Sequence, residues 1–490
     1  MSGQGFDNNL YIAKQSEMIQ KRISELGGKL YLEFGGKLFD DYHASRVLPG
    51  FAPDSKIQML RAMADKAEII IAINAGDIVK NKIRGDLGIT YDLDVLRLID
   101  AFRTFGLYVG SVVITRFMGE PSAVAFKEKL EKLGLPVFLH YPIDGYPYNV
   151  SHIVSEEGYG KNEYVQTSRP LVVVTAPGPG SGKMAVCLSQ LYHEYLRGVK
   201  AGYAKFETFP IWNLPLKHPV NLAYEAATAD LNDINMIDPY HLEAYGKTAV
   251  NYNRDVEVFP VLSAMLEHIQ GTSLYRSPTD MGVNMAGYAI VDDALCAAAA
   301  KQEIIRRYYA ARCDLRKGYG SESAVEKIEL IMKQAGLSEK DRLVVATANT
   351  RAAETGLPAV AIELPDGGIV TGKTSDLLGP SAAALLNAVK SICHMPKETN
   401  LITRSVIEPV QQMKVDILGN HNPRLHSDEV LVALSISAAM SGEAARAVSH
   451  LADLRGCEAH STVILPQVDA EVYRKLGLNL TCEPNYQSKK

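Results

Sequence analysis

Residues 171–183 read Leu-Val-Val-Val-Thr-Ala-Pro-Gly-Pro-Gly-Ser-Gly-Lys. The run of β-branched residues is typical of a buried parallel strand, and it ends in a glycine-rich turn that stops at Lys183. Residues 184–192 then continue with helical character. Strand, glycine-rich loop, lysine and helix follow in this order in phosphate-binding loops, where backbone N–H groups at a helix N-terminus attract an anion. The stretch predicts an α/β protein with a P-loop-like turn.

The first half of the chain repeats this alternation of strand and helix. Amphipathic stretches such as 123–133 lie between short apolar runs that are bounded by glycine or proline. The apolar runs span 29–36, 68–76, 110–117, 136–143, 171–175 and 201–209. Repeated strand–helix units predict a doubly wound, mostly parallel sheet, and ligands bind such sheets at the carboxyl ends of the strands.

The second half divides into an elaboration and a further domain. The strand pattern fades over 210–292, where we expect helical pieces such as 261–269 that cover the ligand edge of the sheet. Asp292 or Asp293 is a suitable cap for a long helix through residue 310, and Gly and Ser in 317–323 predict a linker. We therefore place one domain at 1–320 and a second, smaller α/β domain at 321–490. The second domain is predicted to contain strands at 342–346, 358–364, 430–434 (alternatively helical) and 461–465, and helices at 381–392 and 442–454.

Composition limits the class of protein. The 490 residues carry 47% hydrophobic and 22% charged residues and a net charge of −5, which argues against nucleic acid or an anionic membrane as a partner. No apolar run approaches the roughly 18 residues of a membrane span, and no basic, apolar leader is evident. The six scattered cysteines indicate reduced thiols. We expect a cytoplasmic homo-oligomer whose partner is a small phosphorylated ligand.

The glycine-rich turn departs from the usual P-loop pattern at both ends. Pro177 occupies the position of the first glycine, and Met184 occupies that of the Mg²⁺-binding hydroxyl residue. The physical requirements are otherwise kept. The predicted ligand-binding residues are Gly178, Gly180, Ser181, Gly182 and Lys183. The glycines let backbone N–H groups turn inward, and the lysine adds positive charge. The alternative is an ordinary glycine-rich turn with a solvated lysine.

A second string matches the P-loop pattern at every position. It is Gly-Gly-Ile-Val-Thr-Gly-Lys-Thr at 367–374. It follows a turn signal, Pro-Asp-Gly-Gly at 365–368, and its Ile-Val-Thr segment favours a strand over a wrapped loop. We therefore interpret the complete string as a β-hairpin.

Further polar residues follow the predicted strands. His43 and Arg46 would share a helix face after the first strand and bind substrate, although a surface ion pair explains them equally well. Lys205 and Glu207 alternate on the strand after the loop helix, so they point the same way; they would contact substrate or form a buried ion pair.

The elaboration adds carboxylates and a candidate catalytic cation. Asp233 and Asp238 would supply hard oxygen ligands to Mg²⁺, and Arg254 would stabilise a transferring phosphate. Asp280 and Asn284 belong to a polar loop expected at the substrate. The alternative is that these loops are simply solvated.

The chain resembles a bacterial family known as domain of unknown function 1846. The motifs that carry the resemblance lie at 33–51, 176–183, 205–215, 277–285 and 456–461. It covers essentially the whole chain. It implies a cytosolic bacterial protein with an N-terminal α/β domain and a distinct C-terminal domain, and it implies no particular reaction.

The residues support three hypotheses of function. The first is an ATP-dependent phosphotransferase or ligase with ATP and Mg²⁺ as cofactors and Lys183 and Arg254 as catalytic residues. The second is a non-catalytic metabolite-binding or regulatory protein, which the missing hydroxyl at Met184 favours. The third is an isomerase or lyase that uses the loop to hold a substrate phosphate.

Overall fold

A computed structural model describes residues 3–36, 38–84, 87–272 and 274–487. The chain forms two compact units. The larger comprises Gln4–Glu225 and Asp233–Ala300, and the smaller comprises 226–232 together with the chain from Lys301 onward.

The larger unit is built on a sheet of seven parallel strands. The unit as a whole contains, besides these seven, two further pairs of short strands. All of its described strands are β1 (Leu30–Phe34), β2 (Ala67–Asn74), β3 (Ile83–Arg84), β4 (Ile89–Thr90), β5 (Tyr108–Thr115), β6 (Val137–Leu139), β7 (Leu171–Thr175), β8 (Gly202–Phe206), β9 (Asn235–Ile237), β10 (Val250–Tyr252) and β11 (Gly282–Val283). The parallel sheet has the order β11–β8–β1–β7–β2–β5–β6, while β3–β4 and β9–β10 form two small antiparallel pairs. The predicted parallel sheet is confirmed. Only its edge strand β11 lies in a segment that the sequence predicts as loop.

The helices of this unit connect the strands. They are α1 (Asn8–Glu25), α2 (Tyr42–Val47), α3 (Ser55–Ala62), α4 (Ala75–Val79), α5 (Tyr91–Thr104), α6 (Pro121–Lys132), α7 (Val150–Ile153), α8 (Lys183–Leu196), α9 (Pro219–Ala227), α10 (Pro239–Tyr245), α11 (Asn253–Gln270), α12 (Pro278–Met281) and α13 (Asp293–Lys317). The Asp292 carboxylate accepts a hydrogen bond from the N–H of Leu295 and so caps α13, as predicted. This helix continues past residue 310, and the division between the units falls within it.

The central strand β7 is buried along its whole length. All five of its residues are buried, and it lies between β1 and β2. Continuous apolar runs of this kind suit a strand that is covered on both faces. In the register of the sheet, Glu33 on β1 lies beside Val174 on β7 and beside Lys205 on β8. These pairings place the carboxyl ends of three neighbouring strands, β7, β1 and β8, at the same end of the sheet.

The smaller unit contains a four-stranded sheet and further helices. The strands are β12 (Ala359–Glu363), β13 (Ile369–Lys373), β14 (Glu458–Ser461) and β15 (Asn479–Cys482), in the order β13–β12–β14–β15. The helices are α14 (Glu322–Gln334), α15 (Leu343–Thr355), α16 (Pro380–Ile392), α17 (Arg404–Gln412), α18 (Ser427–Ala438), α19 (Gly442–Ser449) and α20 (Gln467–Leu476). The β12–β13 pair is antiparallel, so the complete P-loop string at 367–374 is a hairpin, as predicted.

Three predicted strands of this unit differ from the structure. The strand predicted at 461–465 overlaps β14 only at Ser461, where β14 ends. Residues 342–346 open helix α15, which buries Val344, Val345 and Ala348 at helical spacing. Residues 430–434 lie in α18, the helical alternative. Short apolar runs do not distinguish a strand from a buried helix by themselves, which explains the last two differences. Among the described residues, no helix is long and apolar enough to cross a membrane.

Candidate functional site

The glycine-rich loop lies at a topological switch point of the sheet. The neighbouring strands β7 and β2 send the chain in opposite directions, since β7 leads to β8 on one side and β2 leads to β5 on the other. Crevices form outside the carboxyl ends of strands at such points, and ligands of open α/β sheets bind in them. Loop 176–182 follows β7 directly, so it borders this crevice.

Side chains from the loop and the neighbouring strands hold its carbonyl groups. Ser181 Oγ donates a hydrogen bond to the Gly178 carbonyl at 3.0 Å, and Thr115 Oγ1 donates to the Ser181 carbonyl at 2.9 Å. Asn74 Nδ2 donates to the Gly180 carbonyl at 3.4 Å. Asn74 and Thr115 end β2 and β5, and neither was predicted as part of the site. In the sequence, each of the two residues ends an apolar run, and this place at the carboxyl end of a predicted strand is the signal that could have identified it as a site residue.

The backbone N–H groups of the loop have no protein partner. Within the part of the chain that the structure describes, no group accepts a hydrogen bond from the N–H of Gly178, Gly180, Ser181 or Gly182. Gly182 is the N-cap of α8 and has a left-handed φ of 85°, which a glycine adopts without strain. Lys183 is the first residue of the helix. The arrangement therefore directs carbonyls toward the scaffold and leaves donors at a helix N-terminus.

Two further residues explain details of the loop. A Cβ at Gly178 would lie 2.2 Å from the Tyr91 hydroxyl oxygen, so the close approach of this tyrosine requires glycine there. Thr175, the last residue of β7, is 1% exposed, and its hydroxyl has no hydrogen-bond partner among the described residues. A buried hydroxyl without a partner is costly in a folded protein and is a frequent mark of a functional position.

A group of half-buried charged and polar side chains lies at the same end of the sheet. This group, the Lys205 cluster, consists of Glu33, Lys205, Glu207, Tyr252 and Asp255. Lys205 Nζ lies 3.2 Å from Glu207 Oε1, and it donates hydrogen bonds to the Asp255 carboxylate and the Tyr252 hydroxyl. The predicted pair of Lys205 and Glu207 is thus brought together. Asp255, on the first turn of α11, is the partner that sequence reasoning missed.

The cluster shifts the pKa values of its members. Burial raises the pKa of Glu207 to about 8; the Asp255 carboxylate raises it as well, while Lys205 opposes the shift. Burial opposes the charged form of Lys205, yet Asp255, Tyr252 and Glu207 raise its pKa well above the usual value. Within the cluster, the surroundings favour the charged form of Lys205, and burial favours the protonated form of Glu207.

Glu33 connects the cluster electrostatically with the loop. Burial raises the pKa of the Cys187 thiol well above its usual value, Glu33 raises it further, and Lys183 opposes this rise. Glu33 also accepts a hydrogen bond of 2.8 Å from the Tyr203 hydroxyl. Glu33 thus acts electrostatically on Cys187, which Lys183 also influences, and on Lys205.

The cluster is reachable from solvent. The side chains of Lys205, Glu207 and Asp255 are 20%, 10% and 17% exposed, respectively. A Cβ at Gly282, on the edge strand β11, would lie 2.7 Å from Glu207 Oε2. The glycine therefore leaves space that the Glu207 carboxyl occupies.

The two predicted substrate-binding residues of α2 lie in an aromatic and ionic setting. The His43 ring packs edge-on against Phe209 with 5.2 Å between ring centroids. The cap of this helix is Asp41, whose carboxylate accepts from the N–H of Ala44 and pairs with Lys56. Arg46 lies in the last turn of the helix. The His43 ring also lies 6.0 Å, centroid to centroid, from the ring of Tyr224 on α9.

The predicted metal ligands and catalytic arginine are bonded to protein groups. Asp233 forms a two-pronged ion pair with Arg254. Asp238 caps α10 by accepting from the N–H of His241, and its other oxygen accepts from the hydroxyl of Thr279 at 2.6 Å. Over the described ranges, no group of three or more His, Cys, Asp and Glu side chains is placed to hold a metal ion. The structure therefore gives all three predicted residues structural partners.

Asp280 and Asn284 also have structural partners. Asp280 accepts hydrogen bonds from the Tyr245 hydroxyl at 2.8 Å and from the N–H of Arg276. Asn284 is 3% exposed and donates to the carbonyls of Thr208 and Pro210. The bonds of Asn284 hold the segment after β8 against the end of the edge strand β11, and those of Asp280 connect its loop with α10.

Comparison with known proteins gives a consistent family assignment. The description "Domain of unknown function DUF1846, N-terminal" matches residues 4–336, and "Domain of unknown function DUF1846, C-terminal" matches residues 340–490. A UPF0371 protein of Streptococcus thermophilus (strain CNRZ 1066) is 58% identical over 487 residues, 99% of each chain. A UPF0371 protein of Streptococcus pyogenes serotype M5 (strain Manfredo) is 58% identical over 485 residues, 99% of this chain and 98% of the relative. The resemblance inferred from the motifs is confirmed, and the chain belongs to the two-domain bacterial family DUF1846.

Proposed function

We propose that this protein binds a phosphorylated small molecule in the crevice between loop 176–182 and the Lys205 cluster, with the phosphate on the loop. One observation supports the proposal: Ser181, Thr115 and Asn74 hold the loop carbonyls, while no group among the described residues accepts a hydrogen bond from the N–H of Gly178, Gly180, Ser181 or Gly182. Such a set of donors satisfies phosphate oxygens, and the helix dipole favours the negative charge.

Lys183 would supply the complementary charge. It opens α8, and within the described residues it forms no ion pair, so its ammonium group is available to a ligand. Hydrogen bonds to a charged group contribute about 1.5–3 kcal/mol. Loss of this lysine should weaken binding of a phosphate monoester by roughly one to two orders of magnitude, since 1.4 kcal/mol corresponds to a factor of about ten.

Asp233 and Asp238 were the predicted Mg²⁺ ligands and Arg254 the predicted catalytic cation, and all three are bonded to protein groups. This favours a loop that holds a ligand phosphate over one that transfers it. In this role the protein would be an isomerase or lyase, or a metabolite-binding regulator. The alternative is an ATP-dependent phosphotransferase or ligase that uses Mg²⁺. The free hydroxyl of Thr175 supports it, because this group could replace the hydroxyl that is absent at Met184.

The experiment is a ligand screen by thermal shift and isothermal titration calorimetry. The probes are inorganic phosphate, glucose 6-phosphate, ribose 5-phosphate and ATP, each with and without Mg²⁺. The variant is Lys183→Ala. The matched control is Lys373→Ala, because Lys373 belongs to the complete P-loop string that forms the β12–β13 hairpin.

We expect binding of at least one probe that Lys183→Ala weakens and Lys373→Ala leaves unchanged. Mg²⁺-dependent turnover of ATP that is lost in Lys183→Ala would support the phosphotransferase alternative. Binding that needs neither Mg²⁺ nor turnover would support the holding role. A wild-type protein without affinity for any phosphorylated probe would overturn the proposal.

A further inference from the structure

We propose that the Lys205 cluster receives the hydroxyl-bearing end of a ligand of sugar-phosphate size, with the Glu207 carboxyl hydrogen-bonded to a ligand oxygen. The inference rests on the proposed function, which assigns the phosphate end of the same ligand to loop 176–182. It adds the chemical class of the remainder of the ligand and the residues that recognise it.

The distance between the loop and the Lys205 cluster determines how long a ligand must be to reach both. The loop follows β7, the cluster is centred on β8, and β1 lies between them. Neighbouring strands are about 4.8 Å apart, so the two subsites are separated by about 10 Å. A phosphate ester of a pentose or hexose has this length. Inorganic phosphate would reach only the loop.

The charges of the cluster select against a second anion. Glu33 and Asp255 are carboxylates, and Lys205 is the only cation among the five members of the cluster. A ligand with a second negative group would face this excess of carboxylates. A neutral group that both donates and accepts hydrogen bonds, such as a hydroxyl, matches carboxylate acceptors and the ammonium donor together. The far end of the ligand is therefore a polyhydroxylated carbon chain or ring.

The Glu207 carboxyl is suited to donate a hydrogen bond to an oxygen atom of the ligand. Its neighbours are Lys205 and Asp255, and the backbone of Gly282 on β11 lies against its carboxyl. Burial raises the pKa of the Glu207 carboxyl and so favours its protonated form. A protonated carboxyl can donate to a ligand oxygen and accept from a ligand hydroxyl at once. Glutamate at this place thus distinguishes a hydroxylated ester from an alkyl phosphate.

The test compares phosphate monoesters that differ in their hydroxyl groups. The probes are n-butyl phosphate, glycerol 3-phosphate, ribose 5-phosphate and glucose 6-phosphate, titrated calorimetrically at pH 7. On the wild-type protein we expect at least one hydroxylated ester to bind about tenfold or more tightly than n-butyl phosphate, the contribution of one or two hydrogen bonds to charged or buried groups.

Two variants locate this preference at Glu207. Glu207→Met removes both the hydrogen-bond donor and the acceptor of this side chain while keeping its length. Gly282→Ala keeps every polar group but places a methyl group 2.7 Å from the present position of Glu207 Oε2, so the carboxyl must move. Both should reduce the preference for the hydroxylated ester about fivefold or more while leaving n-butyl phosphate binding within about twofold. Thermal melting establishes that each variant is folded.

The outcomes separate this inference from the proposed function. If hydroxylated and alkyl esters bind equally, or if both variants keep the preference, the inference is wrong. The proposed function then stands as long as Lys183→Ala still weakens all probes. If no monoester binds to the wild-type protein, both are wrong.

Discussion

Arg254 holds Asp233 with two guanidinium nitrogens: Nε lies 2.6 Å from Oδ1, and Nη2 lies 2.8 Å from Oδ2. The Asp233 side chain is 3% exposed, whereas that of Arg254 is 53% exposed. Planar, two-pronged pairing of this kind fixes both side chains. The residues that the sequence suggested for metal binding and for catalysis are thus each other's partners, at the junction of β9 and α11.

This pair predicts a loss of stability without a loss of ligand binding in Arg254→Met. The buried carboxylate would lose its cationic partner, and we expect the free energy of unfolding to fall by about 1–3 kcal/mol. Urea unfolding measures this change. The double variant Arg254→Met/Asp233→Asn should recover part of the loss, because no uncompensated buried charge remains. A variant of normal stability that fails to bind ligand would instead place Arg254 in the site.

Glu207 predicts a specific pH dependence of stability. Its pKa is raised from 4.5 to about 8 on folding, so between these values the folded protein holds a proton that the unfolded chain has released. The stabilising contribution is complete below pH 4.5 and is lost as the pH rises toward and beyond 8. Each pH unit in this window lowers stability by at most about 1.4 kcal/mol through this group.

The matching measurement is urea unfolding of the wild type and Glu207→Gln at several pH values from 5 to 9. The glutamine of the variant does not titrate, so the variant does not lose this contribution as the pH rises. The free energy of unfolding of the variant minus that of the wild type should therefore increase steadily with pH. The groups that face Glu207 include Lys205 on β8, Asp255 on α11, Tyr252 on β10 and Tyr224 on α9. The pKa of Lys205 is raised well above its usual value, so Lys205 stays protonated across this range. A stability difference that is independent of pH would contradict the raised pKa.

The buried Arg342 predicts a large effect in the smaller unit. Its side chain is 1% exposed; it pairs with the Glu458 carboxylate and donates to the carbonyls of Ala459 and Asn479. Arg342→Met removes one of the two arginines that pair with Glu458 and one donor from each carbonyl, and we expect a loss of about 3–5 kcal/mol. Hydrogen exchange at β14 and β15 is the local measurement. The control is Arg404→Met, since Arg404 is 77% exposed and 3.9 Å from Glu408, and it should cost under about 1 kcal/mol.

Neighbouring glycines of the loop predict different costs for the same substitution. Gly180 has a φ of +78° with open space around its missing side chain, so Gly180→Ala should destabilise by about 1–2 kcal/mol through backbone strain alone. Gly178→Ala meets the buried Tyr91 ring, with the hydroxyl oxygen 2.2 Å away, and should cost more because a packed side chain must move. Thermal unfolding of the two variants tests this order, and equal melting temperatures would contradict the described loop conformation.

The architecture of the larger unit could be predicted because each parallel strand is a short, continuous apolar run. Residues 171–175 are predicted and observed as the same strand. The edge strand β11 escaped prediction, since its pairing with β8 involves only Gly282 and Val283 and depends on tertiary contact. In the smaller unit, Val344 and Val345 suggested a strand although their neighbours place them on a helix face.

The candidate site was predictable only where one segment contains it. Loop 176–182 is contiguous, so its layout could be inferred from the order of residues alone. The Lys205 cluster joins β1, β8, β10 and α11, and the pairing of Lys205 with Asp255 spans fifty positions of the chain. Asp255 adjoins Arg254 in sequence, yet the two side chains have different partners. Nothing local reveals which of the two belongs to the crevice.

The strand order of the large sheet also determines when each strand can pair during synthesis of the chain. Both neighbours of β1 in the sheet, β7 and β8, come more than a hundred residues later in the chain. A nascent chain that ends before residue 171 can pair β2, β5 and β6 but leaves β1 without a neighbouring strand. Such long-range pairing slows folding, because distant segments must meet before either is stabilised. The insertion of β7 between β1 and β2 joins the two parts of the sheet and places the glycine-rich loop in the same event, whereas β8 and β11, which follow later in the chain, extend the sheet beyond β1. The loop therefore takes its place at the end of β7 only when the centre of the sheet forms.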